Sequence, residues 1–355
     1  MRVLYFGTYE RHYPRNAQVI SCLRGAGVEV LERHVGVWEG RRNAWSAGLG
    51  AAARLASAEL RLVRRPRERF DAVLVGYPGH ADLPAAKWIA RGRPVLFNPL
   101  VSLHETLVED RGRFRPGSRA ARLLLRIDRA ALRGADLVVA DTDENARHLG
   151  SLAGLPADRV GVCFVGAEDR IFRAVWRQPE TFHALFVGKL IPLHGLETIL
   201  AAARLAPGIR FRLVGSGQLE PLLDRRPANV DRVPWVEYER LPEELERAGC
   251  ALGVFGTSAK AGRVIPNKAF QALACGTPLV TADTPAAREL LRDGQDALLV
   301  PPGDPAALAA AVGRLAEQPE LAARLAAAGR KTYEERASER VLGERWRGLV
   351  ERLVS

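Results

Sequence analysis

A lysine and a histidine near the middle of the chain flank a glycine turn in a pattern suited to binding phosphate. Residues 185–187 are apolar, Gly188 and Lys189 follow at once, and His194 comes a few residues later. Glycine lets a backbone approach a ligand closely, and a helix that begins after such a turn favours anions at its amino terminus. With the charges of Lys189 and His194, the segment predicts a site for a diphosphate group. An ordinary surface turn contains the same residue types, so that alternative stays open.

A second glycine turn follows the next apolar run. Residues 211–214 lead into Gly215 and Gly217, but Glu220 stands where a dinucleotide fingerprint would have its third glycine. We therefore expect a loop that lies close to a ligand rather than a dinucleotide site.

A third segment predicts a helix with cations at its start. The helix would begin near Pro266 and end at Gly276. Free amides and cations at a helix amino terminus predict a second anion site, and a glutamine one turn further on can hydrogen-bond hydroxyl groups. A surface helix with solvated cations is the alternative. The candidate residues of this segment are Arg263, Asn267, Lys268 and Gln271.

Short apolar runs alternate with helical patterns along the whole chain, which is typical of doubly wound α/β folds with parallel sheets. We predict two Rossmann-like domains facing a cleft, residues 1–175 and 176–335, and a C-terminal helix, residues 336–355, that packs back on the first domain. Ligands of such sheets bind at the carboxyl ends of the strands. The predicted strands are residues 3–6, 28–31, 72–75, 94–97, 137–140 and 160–165, then 184–187, 211–214, 252–255, 279–281 and 298–300.

Length and composition exclude several classes of protein. The chain has 355 residues, of which 47% are hydrophobic, enough for two buried cores. Its first apolar run is too short for a signal peptide, and arginines interrupt every stretch that approaches a membrane span. The 4 cysteines show neither zinc-site nor disulfide spacing. We expect a cytoplasmic protein without a metal or a bound cofactor.

The net charge of +11 lies mostly in the first half, where residues 1–170 carry 27 Lys and Arg against 19 Asp and Glu. Residues 41–69, which include Trp45, and residues 119–133 mix leucines with arginines, and basic amphipathic helices can lie on anionic membranes. Their apolar faces can equally pack on a sheet. Nucleic acid is not expected, because no recognised module or interleaved aromatic pattern accompanies the charge.

The three glycine and helix segments, in this order, resemble the donor domain of GT-B fold glycosyltransferases, particularly the retaining family 4, also called glycosyl transferases group 1. The clearest match is residues 271–280, QALACGTPLV. In the family an acidic residue there precedes Ala-Met/Leu-Ala-x-Gly-x-Pro-Val-Val. The likeness is strong over residues 180–315 and weaker in the first half, where it depends on residues 134–142 and 165–172.

The resemblance implies that Lys189 and His194 contact the diphosphate of a nucleotide-sugar donor, with His194 in place of the usual lysine and therefore sensitive to pH. It also implies that Arg263 and Gln271 stand where the family has two glutamates. Arg263 cannot copy the acidic group that contacts the sugar and would instead recognise a carboxylated sugar or a phosphate, whereas Gln271 can still hydrogen-bond the ribose hydroxyls. The further donor contacts implied are Gly188, Gly215, Gly217, Trp235 beside the base, Asn267 and Lys268.

The first domain would then bind the acceptor through loops that follow its strands. The loop after the first strand is long and basic and includes Arg11 and His12. Relatives often carry a histidine near the position of Asn98, so His80 and His104 are candidates for its role, although each can be an ordinary loop histidine. The predicted acceptor-side residues are Tyr9, Arg15, Asn16, His80, Asn98 and His104.

The sequence thus predicts a retaining, metal-independent glycosyltransferase of the hexosyltransferase type, with a nucleoside diphosphate sugar, UDP favoured, as co-substrate. The acceptor is unknown, with lipid-linked or anionic acceptors and peripheral contact with the inner face of a membrane as possibilities. Because both family carboxylates are missing, a non-catalytic accessory subunit that binds sugar nucleotides is the main alternative. A sugar-nucleotide epimerase is a further one.

Overall fold

The structure, a computed structural model, describes residues 1–11, 13–37, 49–64, 66, 68–173 and 175–354. The chain divides into two compact units. The first comprises Met1–Phe164 and Glu339–Ser355, and the second comprises Val165–Ser338. The first unit therefore ends earlier than residue 175, where the sequence placed the boundary. His12 and Trp45 lie outside the described residues.

The first unit is built on a six-stranded parallel sheet, and elements are numbered along the whole chain. The strand order is β2-β1-β3-β4-β5-β6, and helices cover both faces of the sheet. The strands are β1 (Arg2–Gly7), β2 (Glu29–His34), β3 (Ala72–Val75), β4 (Val95–Phe97), β5 (Leu137–Ala140) and β6 (Val160–Val162). The helices are α1 (Pro14–Gly25), α2 (Leu49–Leu62), α3 (Leu83–Ala90), α4 (Arg119–Gly134), α5 (Asp143–Ala153) and α12 (Glu339–Val354).

The second unit repeats the same plan with strand order β12-β11-β10-β7-β8-β9. Its strands are β7 (His183–Val187), β8 (Arg210–Val214), β9 (Val230–Val233), β10 (Cys250–Leu252), β11 (Leu279–Ala282) and β12 (Leu298–Val300). Its helices are α6 (Leu196–Leu205), α7 (Leu241–Arg247), α8 (Asn267–Cys275), α9 (Pro285–Arg288), α10 (Pro305–Glu317) and α11 (Pro319–Arg336). The predicted pair of Rossmann-like α/β folds is confirmed.

Two strands of the second unit differ from the prediction. β9 was missed because Asp231 and Arg232 interrupt its apolar pattern at the edge of the sheet. β10 lies earlier than the predicted residues 252–255, since Val254 and Phe255 are buried in the loop that follows it. A buried loop and a buried strand are equally apolar, so hydrophobicity cannot separate them.

Local signals explain where several helices begin and end. The hydroxyl of Ser118 accepts from the Ala121 amide at the start of α4, and Thr142 does the same for α5. Gly154 after α5 and Gly276 after α8 adopt left-handed conformations that glycine tolerates best. No described helix is long and apolar enough to cross a membrane.

The last helix, α12, packs against α1 within the first unit. Trp346 is fully buried, and Leu342 and Leu349 join the same core. The helices approach so closely at Gly343 that a Cβ there would lie 2.5 Å from the Cys22 carbonyl oxygen. A glycine at this position is therefore a packing requirement.

We predict that Gly343→Ala lowers the free energy of unfolding of the first unit by about 1–3 kcal/mol, the usual cost of overpacking. Gly348→Ala, in the same helix, is the matched control, because a Cβ there meets nothing within 4 Å. That substitution should stabilise by about 0.5–1 kcal/mol through helix propensity. Urea unfolding measures both, and equal effects would contradict the packing argument.

Candidate functional site

Two glycine turns at the carboxyl ends of β7 and β8 pack directly on each other. A Cβ on Gly215 would lie 1.9 Å from the Gly188 carbonyl oxygen, and one on Gly217 would lie 2.6 Å from the Leu190 carbonyl oxygen. The Leu190 amide also donates to the Ser216 carbonyl at 3.0 Å. Gly215 and Gly217 thus have a structural reason to be glycine, and their predicted contact with a donor stays a prediction.

Lys268 of the second unit is a buried lysine whose ammonium group has no hydrogen-bond partner among the described residues. Its side chain lies 9% exposed in the first turn of α8, and its Nζ is 3.6 Å from the centre of the Phe186 ring. This Nζ has no hydrogen-bond partner among the described residues. Burial lowers the pKa of the ammonium well below its usual range. Because a buried ammonium without a partner is unfavourable, an anion that binds beside Lys268 would stabilise it.

Gly188 and His194 border this ammonium. A Cβ on Gly188 would lie 2.9 Å from the Lys268 Nζ and 3.4 Å from the Cε1 of His194, so glycine leaves the space beside both groups open. Gly188 has φ +147°, which also favours glycine. The structure therefore places Lys268, which the sequence assigned to a second anion site, directly beside Gly188 and His194 of the first.

His194 is held as a neutral ring. Its Nδ1 lies 2.5 Å from the Lys189 carbonyl oxygen, and since a carbonyl only accepts, Nδ1 carries the proton. Burial first, and then the charge of Lys268, lower the pKa of His194 well below its usual value, with smaller effects from Lys260 and Lys189. The neutral ring presents the lone pair of Nε2, so it can bind a phosphate oxygen only after it takes up a proton.

Three lysines shape the potential at this site. Lys189 is exposed, whereas Lys260 and Lys268 are buried. The charges of all three lysines lower the pKa of His194. Lys260 was missed because it lies in the loop after β10, where a single lysine resembles any solvated surface cation. The excess of positive charge favours a ligand with at least two negative charges.

Gln271 belongs to a buried hydrogen-bonded chain further along α8. Its side chain donates to the hydroxyl of Tyr238, and that hydroxyl donates to the carboxylate of Glu168. Glu168 is buried and also receives the Arg170 guanidinium at 2.8 Å. Burial, and next the charge of Glu168, raise the pKa of Tyr238. Gln271 is thus linked through the Tyr238 hydroxyl to the carboxylate of Glu168, which was not among the predicted site residues.

The other predicted donor residues lie at the surface or near it. Arg263 ends a short 3-10 turn just before α8, and burial lowers its pKa. Asn267 is the first residue of α8 and is half-buried. Trp235 is 61% exposed after β9. Their predicted contacts with a sugar, a diphosphate and a base stay predictions.

In the first unit, Arg15 and Asn98 form an interior contact rather than a binding surface. The fully buried guanidinium donates to the Asn98 Oδ1 from Nε and NH2, and to the backbone carbonyls of Cys163 and Phe164. Its Cζ lies 5.5 Å from the centre of the Trp346 ring. This geometry ties the ends of β4 and β6 to α1 and α12, so we correct the expectation of an accessible Arg15.

Asn16 and Tyr9 are interior as well. The Asn16 Oδ1 accepts from the Tyr5 hydroxyl and the Tyr77 amide, and its Nδ2 donates to the carbonyls of Glu10 and Tyr77. With its amide saturated, Asn16 has a structural role. Tyr9 is buried, and its hydroxyl donates to Glu32 at 3.1 Å.

His80 and His104 meet at Asp128 of α4. The Nε2 of His80 lies 3.2 Å from the Asp128 Oδ1, and its Nδ1 lies 2.5 Å from the Pro78 carbonyl oxygen. Burial opposes ionisation of Asp128, but the hydrogen bond and charge of His80 hold its pKa below the usual range. His104 contributes its backbone amide to Asp128, and its half-buried ring lies 3.3 Å from the exposed Glu109.

A pair of carboxyl groups, the buried Asp82 and the half-buried Glu59, lies beside the loop that follows β1. Both oxygens of Asp82 accept from Thr8, from its amide at 2.7 Å and its hydroxyl at 2.9 Å. Glu59 of α2 hydrogen-bonds the same carboxylate, and burial together with that contact raises the pKa of Glu59 to about 9. A Cβ on Gly7 would lie 2.1 Å from the Asp82 Oδ2. Neither carboxyl was predicted, because single acidic residues on separate helices form no sequence motif.

Comparison with known families adds the decisive observation. Residues 181–318 match the model described as glycosyl transferases group 1, and residues 2–166 match the glycosyl transferase 4-like domain. The chain belongs to the group 1 glycosyltransferases. The family suspected from residues 180–315 is thereby confirmed, and with it the assignment of the chain as a transferase.

Curated relatives agree with this family. A D-inositol 3-phosphate glycosyltransferase of Thermomonospora curvata is 29% identical over 320 residues, which cover 78% of this chain and 71% of the relative. One from Acidothermus cellulolyticus is 36% identical over 219 residues, covering 54% of this chain and 48% of that protein. The chain thus spans about half the length of the second relative.

Solved structures share the fold of this glycosyltransferase over nearly its whole length. Sucrose-phosphate synthase from Thermosynechococcus elongatus has a TM-score of 0.77 at 17% identity and covers 99% of this chain and 98% of its own. Anabaena Alr3699/HepE, solved in complex with UDP-glucose, has a TM-score of 0.71 at 17% identity and covers 99% and 100%. These likenesses establish the GT-B fold.

The pair of carboxyl groups formed by Glu59 and Asp82 predicts a specific pH dependence of stability. In the unfolded glycosyltransferase Glu59 loses its proton near its ordinary pKa of 4.5, whereas in the folded chain it keeps it up to about 9. Stability should therefore fall as pH rises from about 5 to 9. Glu59→Gln, which mimics the protonated form, should flatten this slope in urea unfolding curves recorded across that range.

The exposed Glu68, replaced by Gln, is the control for this experiment. It should leave the slope as it is in the native chain. If Glu59→Gln and Glu68→Gln give the same profile, Glu59 does not hold a proton in the folded state.

Proposed function

We propose that this glycosyltransferase moves a sugar from a UDP-sugar to an acceptor hydroxyl, with retention of anomeric configuration and without a metal ion. One observation carries the donor assignment: the buried, unpartnered ammonium of Lys268 beside the open space at Gly188 and His194. The complex of Anabaena Alr3699/HepE with UDP-glucose supports UDP as the nucleotide. The proposed donor is a co-substrate, and no other cofactor is required.

The chemistry follows from where charge develops. As the bond from the sugar to the diphosphate breaks, negative charge grows on the departing diphosphate. Lys268, Lys189 and Lys260 would stabilise that charge electrostatically, a contribution whose loss from an active site costs about 2.7–4 kcal/mol. These cations supply the charge that a bound metal would otherwise provide. Arg263 is proposed to contact the sugar side of the same anion.

The acceptor is proposed to be an anionic hydroxyl compound. Its support is the name of the curated relatives, which are glycosyltransferases for D-inositol 3-phosphate. A thermal-shift screen of UDP, GDP, ADP and TDP sugars tests the donor, because a ligand at 100 times its Kd stabilises the fold by about 2.7 kcal/mol. Stabilisation by a non-uridine nucleotide alone would overturn the choice of UDP.

Removal of the site cations should lower the turnover rate strongly. Lys268→Met is expected to lower the rate of UDP release from the donor by about 100- to 1,000-fold, and Lys189→Ala should lower it strongly as well, without loss of folding. The control is Lys331→Ala, an exposed lysine of α11 paired with Glu335. Unchanged turnover in Lys268→Met would refute the diphosphate site, and UDP binding without turnover for any acceptor would favour an accessory subunit.

UDP binding should take up protons. His194 and Lys268 have lowered pKa values in the free protein, and a bound diphosphate raises both, so the complex holds more protons than its parts. Affinity should therefore fall as pH rises. Calorimetry in Tris and in HEPES, which differ in ionisation enthalpy, measures the uptake.

Two variants locate this proton uptake. His194→Gln combined with Lys268→Met should abolish it. His183→Gln at the start of β7, the end of the strand opposite Gly188, should leave it intact. Equal uptake in both variants would place the protons elsewhere.

A further inference from the structure

A stripe of five arginines runs along the outer face of α4. Arg119, Arg122, Arg126, Arg129 and Arg133 are spaced alternately by three and four residues, which aligns them on one side of a helix. All five are exposed, as are Arg113 and Arg115 in the loop that precedes α4. Between Arg111 and Gly134 the chain contains a single carboxylate, Asp128, and it is buried beneath the helix.

No carboxylate of the described residues neutralises this stripe. Arg122 donates to the Gly117 carbonyl, and Arg129 and Arg133 donate to the carbonyls of Leu152 and Ala153. Neutral carbonyls position these side chains but do not cancel their charge. Elsewhere on the protein, helical arginines do pair with acids, as Arg340 does with Glu344.

Large apolar side chains lie exposed on α4 and on the two helices of the same layer. Leu123 of α4 is 57% exposed, Trp88 of α3 is 62% exposed and Leu60 of α2 is 72% exposed. These three helices lie side by side on one face of the sheet, with α3 in contact with both of the others. Each helix of this layer therefore presents an apolar side chain to solvent.

We propose that the outer face of α2, α3 and α4 binds the surface of an anionic lipid bilayer. The arginines would meet the lipid headgroups, and Leu60, Trp88 and Leu123 would enter the boundary between headgroups and acyl chains. Charge with interspersed apolar groups on a helical face is the combination that interfacial membrane binding requires. A nucleic acid would use the arginines but would leave the exposed leucines in water.

This surface is independent of the proposed donor site, so the two can be tested apart. The native chain is incubated with vesicles of phosphatidylcholine alone or with 30% phosphatidylglycerol, and binding is measured by flotation at low and high salt. We expect binding only to the anionic vesicles and weaker binding at high salt. UDP release measured without vesicles reports the donor site separately.

Charge reversal locates the surface. The triple variant Arg115→Glu, Arg119→Glu and Arg126→Glu changes arginines that make no hydrogen bond or ion pair with the described residues, and it should weaken binding to anionic vesicles at least tenfold. The matched control reverses three exposed arginines of the second unit, Arg247, Arg292 and Arg314, with the same change in net charge. That variant should keep at least half of the native affinity.

A second pair of substitutions tests the apolar contribution. Trp88→Ser with Leu123→Ser should remove the binding that persists at high salt. Equal losses in the triple variant and its control would show a general effect of net charge and overturn the proposal. Equal binding to neutral vesicles, or tighter binding to a duplex DNA than to anionic vesicles, would overturn it as well.

Discussion

A buried ammonium without a counter-charge is the constraint around which the second unit is organised. Removing a cation from water is unfavourable by several kcal/mol unless a partner compensates it. Lys268 has only the face of the Phe186 ring, and its lowered pKa expresses that deficit. The fold sustains the deficit because α8 and the two interlocked glycine turns hold the lysine in place. An anion bound beside Lys268 would compensate the solvation free energy that the ammonium loses on burial. Ligand affinity then depends on how firmly the fold buries this lysine.

In the first unit, by contrast, the buried charged groups have partners within the unit. His80 faces Asp128, Asp82 accepts from Thr8 and Glu59, and the Arg15 guanidinium is surrounded by carbonyl oxygens. Most of these polar groups are satisfied within the unit, so they fix loops at the carboxyl edge of the sheet rather than offering themselves to a ligand.

The fold could be predicted from the sequence because parallel strands that are buried on both faces appear as short, uninterrupted apolar runs. The exceptions are instructive: Asp231 and Arg232 hid an edge strand, and Val254 and Phe255 made a buried loop resemble a strand. Site residues close together in sequence, such as Gly188 and His194, could be predicted from spacing. Contacts between distant segments, such as Glu168 with Tyr238 or Glu59 with Asp82, could not, since no local pattern encodes them. Arg15 was misjudged because the sequence placed it in a loop, whereas it lies in the first turn of α1 and is fully buried.

The return of α12 to the first unit has a consequence for biosynthesis. A chain emerging from the ribosome presents residues 1–164 long before Glu339–Val354, yet Trp346 and Leu342 complete the core against α1. The second unit, although later in sequence, is the first whose residues are all available. Until the last helix is made, the α1 face of the first sheet exposes apolar surface around Cys22 and Leu23. The nascent chain is therefore most prone to aggregate after residues 1–164 have been made and before α12 has been made.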